Sequence, residues 1–172
     1  MSLEIALEAD AEWDSSEGPD WAELAQAAAR AAIAESRYPT LADLDRAVEL
    51  SVQLTGDDQV RALNAEWRGK DKPTNVLSFP LAEADELTDV GADGPELLLG
   101  DIVLARGVCA AEAHDKAIPL AHHAAHLMVH GTLHLLGYDH HEDGEAEDME
   151  ARETRALARL GIANPYPVEE AA

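Results

Sequence analysis

The sequence predicts an α+β fold: a small mixed sheet of about four strands with about five to six helices around it. Three features predict this. Two alternating apolar segments near the N-terminus are each followed by a helical pattern. Two further β-prone segments flank an acidic stretch, and from residue 107 onward the periodicity is helical.

In chain order, residues 3–8, LEIALE, alternate apolar and acidic as a half-buried strand does. Residues 20–36 read as an alanine-rich helix opened by Pro19 and Asp20. DRAVELSVQL, 45–54, alternates again, and TGDDQVRALNAEWRG follows as a helix with Thr55 or Asp57 near its N-cap and Gly69 past its end. TNVLSFPL is a short β-prone segment in which Pro80, lacking an N–H, favours an edge or a strand end. The acidic residues 82–96 read as an exposed loop. LLLGDIVLA, 97–105, is apolar enough for a strand buried on both faces, Gly100 and Asp101 excepted. A helix over roughly 106–115 follows. Pro119 opens a longer one to about Leu136, and Gly137 ends it in a tight turn. The last helix, about 143–160, has acids first and Arg152, Arg155 and Arg159 towards its end, as the helix dipole favours. The tail from Asn164 reads as loose. At 172 residues, the whole of 1–172 is expected to form one domain.

Composition narrows the function classes. No apolar run approaches the roughly 20 residues that span a bilayer, and MSLEIALEADAEW has no basic region leading into an apolar stretch. A soluble, cytoplasmic protein with no membrane partner is the expectation. Cys109, the single cysteine, excludes an internal disulfide and any CxxC device. The formal charge of −23 argues against nonspecific nucleic-acid binding through the whole surface. Two local concentrations stand out against it. Arg68, Lys70 and Lys72 place two of the three lysines and an arginine within five residues, and all eight histidines lie between His114 and His141.

HGTLHLLGYDH, 130–140, carries a metal-ligand pattern. Residues four apart share a helix face, so His130 and His134 can offer nitrogens to one ion about 2.0–2.1 Å from each. A straight helix would carry His140 too far. Gly137, free to adopt the left-handed conformation, lets the chain turn back and bring His140 to the same point. Three imidazoles leave a fourth tetrahedral position open, the arrangement of a catalytic zinc rather than a closed structural one. The metal site is thus expected on a helix of the C-terminal half and the turn that follows it, with nickel or cobalt also suited to three imidazoles. His141 competes for the third-ligand role. Asp139 either holds a ligand imidazole or caps the turn. His126, one turn before His130, supports that site or belongs to the core, while His114, His122 and His123 read as solvated. Gly131 stands where zinc peptidases of this spacing carry a glutamate base.

RGKDKPTNVLSFP, 68–80, follows a helix and leads into a strand. Arg68 can clamp a phosphate with two parallel hydrogen bonds, and Lys70 and Lys72 add positive charge as candidate phosphate contacts. Taken with LLGDIVLA and HGTLHLLGYDH, this segment resembles the bacterial YbeY family, metal-dependent endoribonucleases of ribosomal RNA maturation and ribosome quality control. The resemblance runs from about Asn64 to Tyr166. It implies zinc held by His130, His134 and His140, an essential arginine at Arg68, and a small sheet with helices around it. Asn75 departs from the aspartate many members carry.

The expected function is therefore zinc-dependent, single-strand-specific endoribonuclease activity in processing of an rRNA precursor, namely maturation of the 16S rRNA 3′ end. The expected partners are single-stranded RNA and the small ribosomal subunit or its associated proteins. The base is open between hydroxide at the ion, Asp139 and a substrate group. Two alternatives share the ligand spacing: a metallopeptidase, and a non-catalytic ribosome assembly factor whose zinc only fixes structure.

Overall fold

The computed structural model describes residues 3–13, 19–43, 46–83, 87, 96–139 and 142–165, the Asp143 side chain excepted. Strands β1 (Leu3–Ala9), β2 (Val48–Thr55), β3 (Val76–Pro80) and β4 (Leu97–Ala105) form one sheet in the order β1-β2-β4-β3. β1, β2 and β4 run parallel, and β3 is antiparallel on the β4 edge. Five helices accompany them among the described residues: α1 (Trp21–Ala34), α2 (Asp57–Arg68), α3 (Arg106–Lys116), α4 (Leu120–Leu135) and α5 (Asp143–Arg159). The α+β class and the mixed four-stranded sheet are as expected. Among the described residues no helix is long and apolar enough to cross a membrane.

β4 is the two-faced strand that its apolar run predicts. Leu97, Leu99, Ile102 and Leu104 enter the main core with α1, α4 and α5, while Val103 and Ala105 join Val60 and Leu77 beneath α2. Simple alternation cannot put both Leu99 and Ile102 on one side. A bulge does: Glu49 pairs with Leu98 but Leu50 with Gly100, leaving Leu99 as the extra residue. Gly100 has φ +142°, and a Cβ there would strike the Phe79 carbonyl and come within 2.8 Å of Leu135. Glycine at this point therefore permits the bulge and lets the end of α4 approach the sheet. Asp101, the polar residue in this run, accepts from the Ser51 hydroxyl on β2.

Several local expectations are refined. The α2 N-cap is Gly56, with no side-chain cap; Asp57 lies just inside α2, and its carboxylate accepts from Val108 N in the first turn of α3. Gly69 ends α2 in the left-handed conformation. Most of 82–96 lies outside the described residues, but Leu87 is buried in the main core, so the stretch is not wholly an exposed loop. Cys109 is buried, which pushes its thiol up to about 12 and leaves it inert.

The arginines of α5 do more than match the helix dipole. Arg152 donates to the Glu35 carbonyl at the end of α1, while Arg155 and Arg159 grip its two carboxylate oxygens at 2.9 and 2.7 Å. The Arg159 hydrogen bond, with Arg155 adding to it, holds Glu35 below its usual 4.5. A lowered folded pKa means that this stability is complete above pH 4.5 and is lost as pH falls through the folded value. Glu35→Gln is expected to lower stability at neutral pH by about 1 kcal/mol or less, since both arginines are half-exposed. The wild-type and variant melting curves should converge as pH falls through the lowered folded value; parallel curves at all pH values would show that the clamp does not contribute to stability.

Candidate metal centre and cleft

Pro119 caps the start of α4 and Leu136 its end, and Gly137 follows at φ +95°, with Tyr138 N donating to the Leu133 carbonyl. Tyr138 anchors the turn. It is buried, its hydroxyl receives Arg37 N at 2.8 Å and Arg37 Nε at 3.1 Å, and the guanidinium lies 4.3 Å from the ring centroid. The turn predicted from Gly137 is therefore present, and it is pinned two residues before His140. His140 and its competitor His141 lie outside the described residues.

His130 and His134 share one face of α4, with ring centroids 4.5 Å apart. The Tyr138 carbonyl, which can only accept, lies 2.9 Å from His134 Nδ1, so that nitrogen carries the proton. His130 Nδ1 lies 2.7 Å from Glu153 Oε2. The two Nε2 atoms converge to 3.0 Å. Two lone pairs meet at that distance only where a proton or metal ion offsets their repulsion. A tetrahedral ion with nitrogens at about 2.05 Å holds its ligand atoms about 3.3 Å apart, so the pair fits such an ion with little adjustment. Among the described residues no third histidine, cysteine or carboxylate completes a metal-binding group.

Beneath the pair lies Glu153 of α5, fully buried. Its Oε1 is 2.8 Å from His126 Nε2, while Oε2 takes His130. His126 thus supports the pair from one turn away, as one of its expected roles required. Sequence reading missed Glu153, yet a signal existed: Met149, Glu153, Ala156 and Leu157 form a helical stripe whose other three members are apolar core.

His130 and His134 open into a cleft of about 440 Å³ shared with Arg68, Asn75, Val76, Ser78, Pro80, Gly137, Tyr138 and Asp139. α2 delivers Arg68 as its last residue, and Arg68 Nη2 donates to the Ser78 carbonyl at 3.4 Å. Arg68 and Asp139 are thus brought to the imidazole pair. Lys70 and Lys72 are not; both are exposed, and Asn64 ties their loop back through the Lys70 amide and the Lys72 carbonyl. His114 and His122 are exposed as expected, but His123 is not solvated. It is buried, and its Nε2 lies 2.8 Å from Glu112 Oε1, which also receives Asn75 Nδ2 at 3.0 Å. Burial pushes the His123 pKa down, against the partly opposing pull of Glu112. This chain of contacts fixes Asn75 at the cleft wall, a role its sequence position did not reveal.

The cleft runs along the outer edge of β3, which is poorly made for pairing with another strand. The Val76 amide is taken by Asn75 Oδ1 at 2.7 Å, Pro80 has no amide, and the Ser78 carbonyl faces Arg68.

A mixed four-stranded sheet with a histidine pair seated over its antiparallel edge, and an arginine across the cleft, defines a class of small α+β proteins with a histidine centre. The chain belongs to the endoribonuclease YbeY family, whose model matches residues 11–161. It is 52% identical over 169 residues to endoribonuclease YbeY of Rhizorhabdus wittichii, covering 98% of this chain and 99% of that one. It is also 52% identical to endoribonuclease YbeY of Sphingopyxis alaskensis, covering 95% and 97%. The fold matches the solution structure of a Thermotoga maritima protein with a TM-score of 0.54 at 22% identity, over 98% of this chain and 100% of that one.

Proposed function

We propose that the protein is a zinc-dependent endoribonuclease that hydrolyses phosphodiester bonds of single-stranded RNA in the cytoplasm. Its substrate is an rRNA precursor, at the 3′ end of 16S rRNA, and it serves ribosome quality control alongside the small ribosomal subunit or its associated proteins. The observation that carries this reading is the pairing of converging imidazoles with Arg68 in one polar cleft. Family membership supports the RNA substrate.

His130 and His134 would hold the ion, with His140 as third ligand. Zinc, when bound, supplies Lewis-acid polarisation of a phosphoryl oxygen. Arg68 orients the scissile phosphate and offsets the negative charge that builds on its oxygens during cleavage. Asp139, which lines the same cleft, is the chain's candidate to take the proton of the attacking group. Asn75, held by Glu112, is placed to orient the nucleotide.

The β3 edge disfavours the peptidase alternative, because substrate peptides of such enzymes bind by adding a strand, and the amides at Val76 and Pro80 are occupied or missing. With Arg68 the one cation lining the cleft among the described residues, and −23 over the chain, affinity for free RNA should be low. That favours delivery of the RNA on a protein partner. The test is cleavage of a single-stranded rRNA fragment before chelation, after chelation, and after zinc is restored. Loss and recovery are expected; cleavage that survives exhaustive chelation would remove the metal from the reaction.

A further inference from the structure

Among the described residues Glu153 is the only carboxylate buried from solvent. It lies on the apolar stripe of α5 against α4, and nothing in the proposed cleavage chemistry uses it. A carboxylate there loses its hydration and must recover it from donors. Those it meets include His126 Nε2 at 2.8 Å and His130 Nδ1 at 2.7 Å, from successive turns of one helix and one on each oxygen.

We propose that Glu153 is a positioning residue for the metal centre: its Oε2 fixes the ring orientation and the Nδ1–H tautomer of His130, so that Nε2 is the atom presented to a divalent cation. His126 secures the opposite oxygen and prevents the carboxylate from rotating away. The inference rests on the proposed reading of α4 as the metal-binding helix. Three facts carry it. An ionised carboxylate only accepts, so both facing nitrogens are donors and the tautomer of His130 follows. His134 reaches the same state through a different acceptor, the Tyr138 carbonyl, so both candidate ligands are held with Nε2 outward. Finally, a lone carboxylate on an apolar stripe adds no packing that an apolar side chain would not supply, and what it does supply is acceptors for the two imidazole N–H groups. A carboxylate kept in that slot therefore acts on the imidazoles rather than on the packing. Carboxylates hydrogen-bonded to ligand histidines act in this way, and their removal weakens metal binding roughly 10- to 100-fold.

The experiment measures cobalt(II) and zinc(II) affinity by chelator competition on the full chain, together with the visible spectrum of the cobalt form and the melting temperature of the metal-free form. Glu153→Gln offers one acceptor and one donor, so it cannot receive both N–H groups. Its affinity is expected to fall roughly 10- to 100-fold, with an altered cobalt spectrum and a metal-free melting temperature close to wild type. Glu153→Met paired with His126→Leu, which removes the carboxylate and one of its donors together and fills the slot with apolar volume, should fold close to wild type and show the same loss of affinity. That variant keeps the test decisive if the glutamine protein does not fold. Wild-type affinity and spectrum in a folded variant overturn the positioning role alone. A drop in metal-free melting temperature with affinity unchanged assigns Glu153 to packing and overturns it equally. A wild-type protein that binds neither ion overturns it together with the metal-dependent reading of the cleft.

Discussion

His134→Ala is expected to lose both bound metal and RNA cleavage, while Arg68→Lys loses cleavage but keeps its metal. His134 contributes one of the two Nε2 atoms that converge at 3.0 Å, so the alanine removes half of the described donor pair. Metal-ion stabilisation of developing charge is worth several kcal/mol, which corresponds to a fall in rate of roughly 10³-fold or more. Arg68→Lys preserves charge but not the planar fork that holds two phosphoryl oxygens, and a loss of roughly 10²- to 10³-fold is expected. Metal content by elemental analysis, paired with single-turnover cleavage, separates the two. Cleavage at the wild-type rate by His134→Ala would end the case for a histidine-held ion. Metal loss in the arginine variant would mean that the two walls of the cleft are not independent.

The second large effect concerns Gly131. A Cβ there would sit 3.0–3.2 Å from three atoms of Ile102 on β4, so the residue following His130 faces the sheet and not the cleft. Gly131→Glu, which restores the residue found at this position in zinc peptidases, is expected to destabilise the protein by about 3–5 kcal/mol and to confer no peptidase activity. The side chain must enter a filled core as an unpaired charge. Gly131→Ala separates the terms: a gain in helix propensity of up to about 1 kcal/mol opposes an overpacking penalty of about 1–3 kcal/mol. Urea unfolding of the metal-free proteins measures both. A stable Gly131→Glu protein would show that α4 can lift from β4, and the seat of the imidazole pair would need another explanation.

Much of this architecture is legible in the residues because it depends on local periodicity. The i, i+4 spacing of His130 and His134, the turn at Gly137 and the proline at the end of β3 all act within a few residues. What escaped depends on partners far away in the chain. His123 looks like its exposed neighbour His122 until α3 brings Glu112 to it. Glu153 lies among acids and arginines that are mostly solvated, and only the stripe through Met149 and Leu157 marks it as inward. The parity change at Gly100 is invisible to a simple alternation rule, because the extra residue is defined by the register against β2. Leu87 is a buried core position within an acidic stretch, and composition averages it away.

The parallel pairing of β1, β2 and β4 also has a kinetic consequence. β2 must wait for a strand that begins 42 residues beyond its end, at Leu97, before the centre of the sheet exists. Such non-local pairings place folding towards the millisecond-to-second end of the range for small domains. On the ribosome the order is stricter still, because α4 is synthesised before α5. The imidazole of His130 therefore emerges without the carboxylate that faces it, and the pair takes its final arrangement only when α5 has left the exit tunnel and docked. A nascent chain stalled before Glu153 would carry the histidines without their assembled site, so that the timing of translation itself keeps the centre unformed until α5 has been made.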